Sequence, residues 1–335
     1  MAKLASYQYG KDLVRVLRVV RDPKDASRHQ VAEYTVRCLL TGTQLETSYT
    51  QGDNTLVVPT DTVKNTINVL AKSLDASEIV LVPELFALHI GHHFLNKYAH
   101  IEGVELDILQ HRWSRIDLGP DHGGEHKHSF VRDGESLRVA KTVLSKKAGA
   151  GEFSVDVLQG GVQNLLVLKS TGSAFYGFHR DELTTLRAVD DRIFSTSVEC
   201  IYDIALPAPL SSFVKASKFS APLGSTESSP ASTAEFKAPL DFNQIHARSL
   251  FHTMHLFATD ASASVQATLF KMAQATLADD ACKSVVGVEY TLPNKHYVPI
   301  DLGFAGLDNL TEDTAEVFLP QANPSGLIKA RIVRE

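Results

Sequence analysis

Histidine is the most conspicuous chemical resource of this 335-residue chain: there are 14, and several fall in two clusters. His122, His126 and His128 sit in DHGGEHKHSF, and a His-x-His pair can present two imidazoles to one ion. The other reading is a polar loop with one structural histidine. It is the preferred one, because no Cys or carboxylate partner stands at a recognisable spacing. His89, His92, His93 and His100 lie on or beside an expected helix. The i, i+4 spacing of His89 and His93 suits a ligand pair, but their apolar neighbours favour ordinary core and surface positions. Cys38, Cys200 and Cys282 lie far apart and fit no zinc or CxxC spacing, which implies a reducing compartment and no disulfide framework. The chain has no GxGxxG, GxxxxGK[ST], GxSxG or HExxH. Nucleotide-dependent redox, serine hydrolase and zincin chemistry are disfavoured accordingly.

Whatever chemistry remains must be positioned by the elements the patterning specifies. LVRVLRVV (13–20) and YTVRCLL (34–40) alternate as strands, with Tyr34, Val36, Cys38 and Leu40 on one face. A helix is expected from about Thr60, capped by Thr60 or Asp61, with Val63, Ile67, Leu70 and Leu74 in a stripe. Pro83 opens a second helix, to about Tyr98. Val104, Leu106 and Ile108 mark the next strand, and a Gly/His-rich loop leads to HSFVRD. From about residue 150 the order starts again: alternating Phe153, Val155 and Val157, a buried-type strand at LLVL (165–168), and a strand at 198–202. A Ser/Pro/Ala-rich stretch at 205–240 reads as a long surface loop. Helices follow at 242–257, with Leu250, Met254 and Phe257 in register, and from about Ser264, with Val265, Leu269 and Met272. Strands are expected at 285–292, 297–301, 314–319 and 327–333. Each half thus reads strands, two helices, strands, an α+β pattern with helices on one face of an antiparallel sheet. Length supports two domains, taken as 1–150 and 151–335. A net charge of −6 gives a nucleic-acid partner no electrostatic support. No apolar run approaches the ~18 residues of a membrane span, and the start MAKLASYQYGKD has no apolar signal region.

Five stretches stand out: YGKD (9–12), VVPTDTVKNT (57–66), VLKSTGSAFYGFHRDELTTL (167–186), SASVQAT (262–268) and LPNKHY (292–297). Taken singly, each has an ordinary reading: a turn into a strand, a helix cap, a glycine-broken aromatic turn, a first helical turn, and a strand ended by proline. In this order and at these separations, with HRWSR (111–115) and EVFLPQANPSGLI (316–328), they resemble the urate oxidase (uricase) family. The resemblance runs from Tyr9 to about Ile332, and 205–240 looks longer than the usual family linker.

The resemblance implies two tandem tunnelling-fold (T-fold) domains and a barrel-like homotetramer with active sites at dimer interfaces. It implies oxidation of urate by O2 and water to 5-hydroxyisourate and hydrogen peroxide, with no cofactor and no metal. Lys11 and Thr60 match the family's proton-relay dyad, and His296 the histidine that supports it. A lysine acts as base only when burial or neighbours lower its pKa, and a threonine needs a base beside it. Arg192 and Gln266 match the groups that hold the flat anion, by planar fork and by amide. Phe175 matches the residue stacking on the purine, Asp61 and Val265 offer backbone contacts to its edge, and Leu186 lines the pocket. Asn294 matches the asparagine above the substrate plane, where oxygen or water sits. Eukaryotic family members imply a peroxisome. The chain ends Val-Arg-Glu without an S-K-L type address, so the cytoplasm is the alternative location. A pterin- or GTP-processing relative on the same fold is the rival reading, but its Cys/His zinc set cannot be assembled here. A purine-binding protein without turnover is a further one.

Overall fold

The computed structural model describes residues 2–147, 153–215, 237–311, 314–323 and 325–335. Two compact units emerge: Met1–Gly161 with Asp203–His246, and Val162–Tyr202 with Ala247–Glu335. A single cut near residue 150 does not draw these units, because one strand, Phe153–Lys169, begins in the first and ends in the second. Of the Ser/Pro-rich stretch, 216–236 lies outside the described residues.

The first unit is built from β1 (Tyr9–Arg21), β2 (His29–Thr41), the short α1 (Glu46–Thr50), α2 (Thr60–Ser73), α3 (Pro83–Lys97), β3 (Gly103–His111), β4 (Ser114–Asp117), β5 (Glu125–Val131), β6 (Leu137–Lys146) and the start of β7 (Phe153–Lys169). Its sheet runs β1-β2-β3-β6 with β7 next, and the β1/β2, β2/β3 and β3/β6 pairs are antiparallel. Strand alternation decides the layering. Tyr34, Val36, Cys38 and Leu40 of β2 and Val104, Leu106 and Ile108 of β3 are buried on the face that meets α2 and α3. Each large side chain taken out of water there contributes about 1.5–3 kcal/mol. The opposite face is polar: Arg37 pairs with Asp107 at 2.6 Å and Glu105 at 3.1 Å, and Lys141 with Glu105 at 3.0 Å.

Helix α2 buries the expected stripe of Val63, Ile67 and Leu70. Its cap differs from expectation. Pro59 occupies the N-cap and Thr60 is the first helical residue, so neither Thr60 nor Asp61 caps the helix. Helix α3 is apolar nearly all round and buries even Glu84, whose carboxylate is held by Arg138 at 2.7 Å. The Gly/His-rich segment is a hairpin, with β4 pairing β5, rather than a loop.

The second unit holds the end of β7, β8 (Phe194–Ile204), α4 (Phe242–Thr259, whose first turn falls in the first unit), α5 (Val265–Ala278), β9 (Val285–Lys295), β10 (Tyr297–Pro299), β11 (Phe318–Pro320) and β12 (Gly326–Val333). The sheet order is β7-β8-β9-β12, with β12 antiparallel to β9. Val265, Leu269 and Met272 of α5 are buried as their spacing requires. Helix α4 corrects the expected register. Ser249, Thr253 and Phe257 are buried, while Met254 is exposed. The polar pair escapes an apolar-stripe search because its hydroxyls are satisfied internally: Thr253 Oγ1 lies 2.6 Å from Tyr290 Oη and donates to Ser249 O, and Ser249 Oγ lies 3.8 Å from Cys200 Sγ. LLVL also departs from its buried-strand reading, since Leu166 and Leu168 are 60% and 49% exposed. Both units realise an α+β antiparallel architecture with strands, two long helices, then strands in each, the first unit adding the short α1.

Candidate functional site

In the first unit, β1 delivers Lys11 and α2 delivers Thr60. The two elements are tied by Tyr9, whose hydroxyl accepts the Val58 N–H at 2.8 Å just ahead of α2. Asp61 follows Thr60 with its carboxylate on Lys64 (2.7 Å) and Asn65 (2.8 Å). The Asp61 carboxyl is held below its usual range mainly by the Lys64 bond and charge, and also by the charge of Lys11. The charge of Lys11 is thus felt at the start of α2, although no hydrogen bond joins Lys11 to Thr60 among the described residues. The first bond of the helix runs from Val63 N to Pro59 O, so the N–H groups of Thr60, Asp61 and Thr62 have no acceptor within the helix. A proline at the N-cap brings no side-chain oxygen to satisfy them. Such N–H groups at a helix N-terminus suit an anionic or carbonyl oxygen.

In the second unit, the segment after β7 is folded back by carboxylates. Asp191 accepts the N–H of Gly172 (2.7 Å), Ser173 (3.2 Å) and Arg192 (3.0 Å), and the Thr171 hydroxyl. Phe175 forms an antiparallel bridge with Val189, with bonds of 2.9 and 3.0 Å. That brings the Arg192 guanidinium over the Phe175 ring, 5.2 Å from its centre, while Phe178 lies nearly parallel to the ring at 5.0 Å. Burial lowers the pKa of Arg192, which leaves it charged at any ordinary pH.

The start of α5 joins the same neighbourhood. Ala174 N–H donates to Ser262 O at 2.8 Å, and Ser262 N–H to Gly172 O at 3.0 Å. Ser264 caps α5 by accepting the Ala267 N–H at 3.1 Å, so the backbone donors of Val265 and Gln266 are not used by the cap. Asp260 steadies this turn through Thr268 (2.7 Å) and Lys271 (2.5 Å), and Lys169 donates to its carbonyl at 2.7 Å. Val265 is buried, whereas the Gln266 side chain is exposed at the helix start.

Leu186 lies on the segment between Phe175 and Val189 and is 50% exposed. Asn294 and His296 fall at the end of β9. Asn294 pairs with Gly326, and His296 O accepts the Gln321 N–H at 2.9 Å. Among the described residues neither Asn294 nor His296 bonds to Arg192, Phe175 or Gln266. Asp191 and Asp260 organise the second cluster, and sequence reasoning misses both. The Asp190-Asp191-Arg192 run is the available signal, but a carboxylate that collects backbone N–H groups has no spacing of its own.

Two other features carry no comparable chemistry. A groove of about 190 Å³ between α2 and α3, lined by residues including Thr62, Val69, Leu70, His93 and Lys97, contains none of the expected site residues. The His126 and His128 rings lie 4.6 Å apart, but His128 Nδ1 is engaged with Ser27 O at 3.0 Å. Among the described residues no group of three or more His, Cys, Asp or Glu is placed to hold a metal ion.

A family model, Uricase, matches residues 7–143 and 158–329 of the chain. The chain belongs to the uricase family. The uricase of Emericella nidulans is 42% identical over 336 residues, covering 100% of this chain and 98% of that protein. The uricase of Schizosaccharomyces pombe is 41% identical over 327 residues, covering 98% and 96%. The crystal structure of uricase from Arthrobacter globiformis superposes with a TM-score of 0.77 at 31% identity, covering 100% of this chain and 96% of that one. The family match spans both the Lys11/Thr60 cluster and the Phe175/Arg192/Gln266 cluster.

Proposed function

We infer that this member of the uricase family is a urate oxidase that converts urate, O2 and water to 5-hydroxyisourate and hydrogen peroxide. The carrying observation is the family match over nearly the whole chain. The two clusters support the assignment of roles. Phe175 with Arg192 above it offers a stacking surface and a planar cationic fork, worth about 0.5–1.5 kcal/mol beyond burial for the stack. Gln266 and the backbone donors at Val265 and Asp61 fit the carbonyl and N–H edge of a purine. Lys11, acting through Thr60, takes a proton from bound urate, and His296 exchanges protons with that pair. The deprotonated, electron-rich urate is itself the reductant. It passes electrons to O2 held beside Asn294, peroxide leaves, and water adds to the ring. The chain's contribution is orientation, proton transfer and a preorganised polar surround.

The Lys11 cluster and the Phe175 cluster are read as complementary halves of a site completed by a second copy, in a homotetramer of tandem T-fold domains. The exposed apolar residues Leu17 of β1 and Leu166 and Leu168 of β7 support this, since exposed apolar strand faces call for cover. The peroxisome is the proposed location by the same family argument.

The test mixes purified protein with urate in air, with chelator and without added cofactor. Loss of the urate ultraviolet band, oxygen uptake and peroxide release are expected to advance together. Bound but persistent urate in a confirmed tetramer would overturn the oxidase reading in favour of a purine-binding protein.

A further inference from the structure

We propose that the β-bulge at Asp12 and Leu13 is a positioning element for Lys11, turning the first residues of β1 onto the face of the sheet that carries α2. The inference rests on the proposed role of Lys11 as the base.

Register makes the case. From Arg21↔His29 back to Val14↔Val36, β1 and β2 pair residue for residue. The next pair is Lys11↔Cys38, so Asp12 and Leu13 stand together opposite Arg37 alone. Continuing the regular register would have set Asp12 against Cys38 and Lys11 against Leu39. Facing alternates with every residue, so a slip of one reverses every side chain beyond it. Val14 and Val16 are buried beneath the helices, and so is Cys38. The bulge therefore places Lys11 and Tyr9 on the Val14/Val16 side, and without it they would lie on the opposite face with Arg15 and Leu17.

One contact agrees with this facing: the Tyr9 hydroxyl meets Val58 N at 2.8 Å, just ahead of α2. The charge of Lys11, which helps to hold the Asp61 carboxyl below its usual range, is consistent with it. The conformation that produces the bulge is an unfavourable one for its residue. Leu13 has φ +55°, in the left-handed region, and the other non-glycine at positive φ among the described residues is an asparagine, Asn164. Asparagine tolerates that region, whereas leucine does not favour it. Asp12 pins the turn, its Oδ1 accepting the Leu13 N–H at 2.7 Å. Leu13 itself is 72% exposed, so packing beneath it in the chain does not account for its conformation. Strain held at a point that aims a reactive side chain is a known use of bulges.

The test uses the full-length protein and compares the parent with Lys11→Met, Leu13→Val, Leu13→Gly, Asp12→Ala and Asp12→Asn. Each is measured for kcat, KM, the pH profile of kcat, melting temperature and oligomeric mass. A β-branched residue resists positive φ and glycine accepts it. Leu13→Val is expected to lower kcat by on the order of tenfold and to displace the pH profile, with KM within about twofold and oligomeric mass unchanged. Leu13→Gly is expected to keep parental kcat. Asp12→Ala is expected to lower kcat as Leu13→Val does, with Asp12→Asn restoring it through its amide oxygen, and this pair serves where Leu13→Val fails to fold. Parental kcat in Leu13→Val or Asp12→Ala, with Lys11→Met inactive, would overturn the bulge's role while leaving Lys11 as base. Equal losses in Leu13→Gly and Leu13→Val would overturn it as well. Parental turnover in Lys11→Met would remove the base assignment and this inference with it.

Discussion

At the scale of single residues, the proposed roles divide proton transfer at Lys11 and Thr60 from substrate holding at Phe175, Arg192 and Gln266, and substitutions should separate kcat from KM in the same way. Lys11→Met removes the proposed base but no stacking or fork contact. It is expected to cut kcat by roughly 10²–10⁴-fold while urate binding without oxygen persists. Binding titration beside turnover checks this, and unchanged turnover would sink the dyad. Asp191→Ala should act the other way. It removes the acceptor of three backbone N–H groups and of Thr171, which together hold Arg192 in place. With about 1.5–3 kcal/mol at stake for a charged acceptor, KM for urate should rise roughly tenfold or more, with a smaller change in kcat. Gly10 is a steric requirement: a Cβ there would fall on the Cys38 carbonyl across the β1/β2 ladder. Gly10→Ala should therefore lower the melting temperature and kcat together, and an alanine variant with parental values would refute the close approach.

At the scale of elements, α3 carries the most informative polar groups because it is buried nearly all round. Glu84 is fully buried against Arg138, and removing one partner strands the other charge. Glu84→Ala is expected to cost about 3–5 kcal/mol of stability by denaturant titration. Burial also holds His89 and His93 neutral, with pKa values pulled down to about 4, and desolvation together with the charge of Arg138 pulls His246 down to about 3. In the unfolded chain these imidazoles take a proton below about pH 6.5. The unfolded state then binds more protons, so stability is full above pH 6.5 and is lost as pH falls from 6.5 toward 4. Shifts of this size are worth roughly 3 kcal/mol each for His89 and His93 and roughly 5 kcal/mol for His246, whose share is lost down to about pH 3. Melting temperatures should decline across that window, and a flat profile would contradict the burial of these histidines. Spacing alone makes such helix-borne histidines resemble a ligand pair. The fold instead uses His89 to join segments: its Nδ1 lies 2.7 Å from Leu85 O, and its Nε2 accepts the Lys215 N–H at 2.9 Å.

At the scale of the whole molecule, the prediction concerns self-association. Leu166→Lys with Leu168→Lys changes no proposed site residue. If a second copy covers β7 and completes the site, the pair should lower the oligomeric mass in solution and reduce turnover in step with it. Full activity in a monomeric double variant would refute the composite site. No helix of the described residues is long and apolar enough to cross a membrane.

The sequence by itself determined what depends on local order. Alternation in YTVRCLL set which face of β2 is buried, the Val63/Ile67/Leu70 stripe set the facing of α2, and the repeated order of strands and helices set the α+β class. Motifs in series indicated the family, because their identity and order are properties of the chain alone. What the tertiary structure decided were relations between segments far apart. Thr253 is buried because Tyr290 and a backbone carbonyl meet its hydroxyl, and Ser249 because its hydroxyl meets the Cys200 sulfur, which no apolar count reveals. Asp191 gathers three backbone donors, an arrangement that exists only once the chain turns back on itself. The bulge at Asp12 and Leu13 is invisible in an alternating LVRVLRVV pattern, because a register is a property of two strands and not of one. That register decides which face of the sheet Lys11 meets.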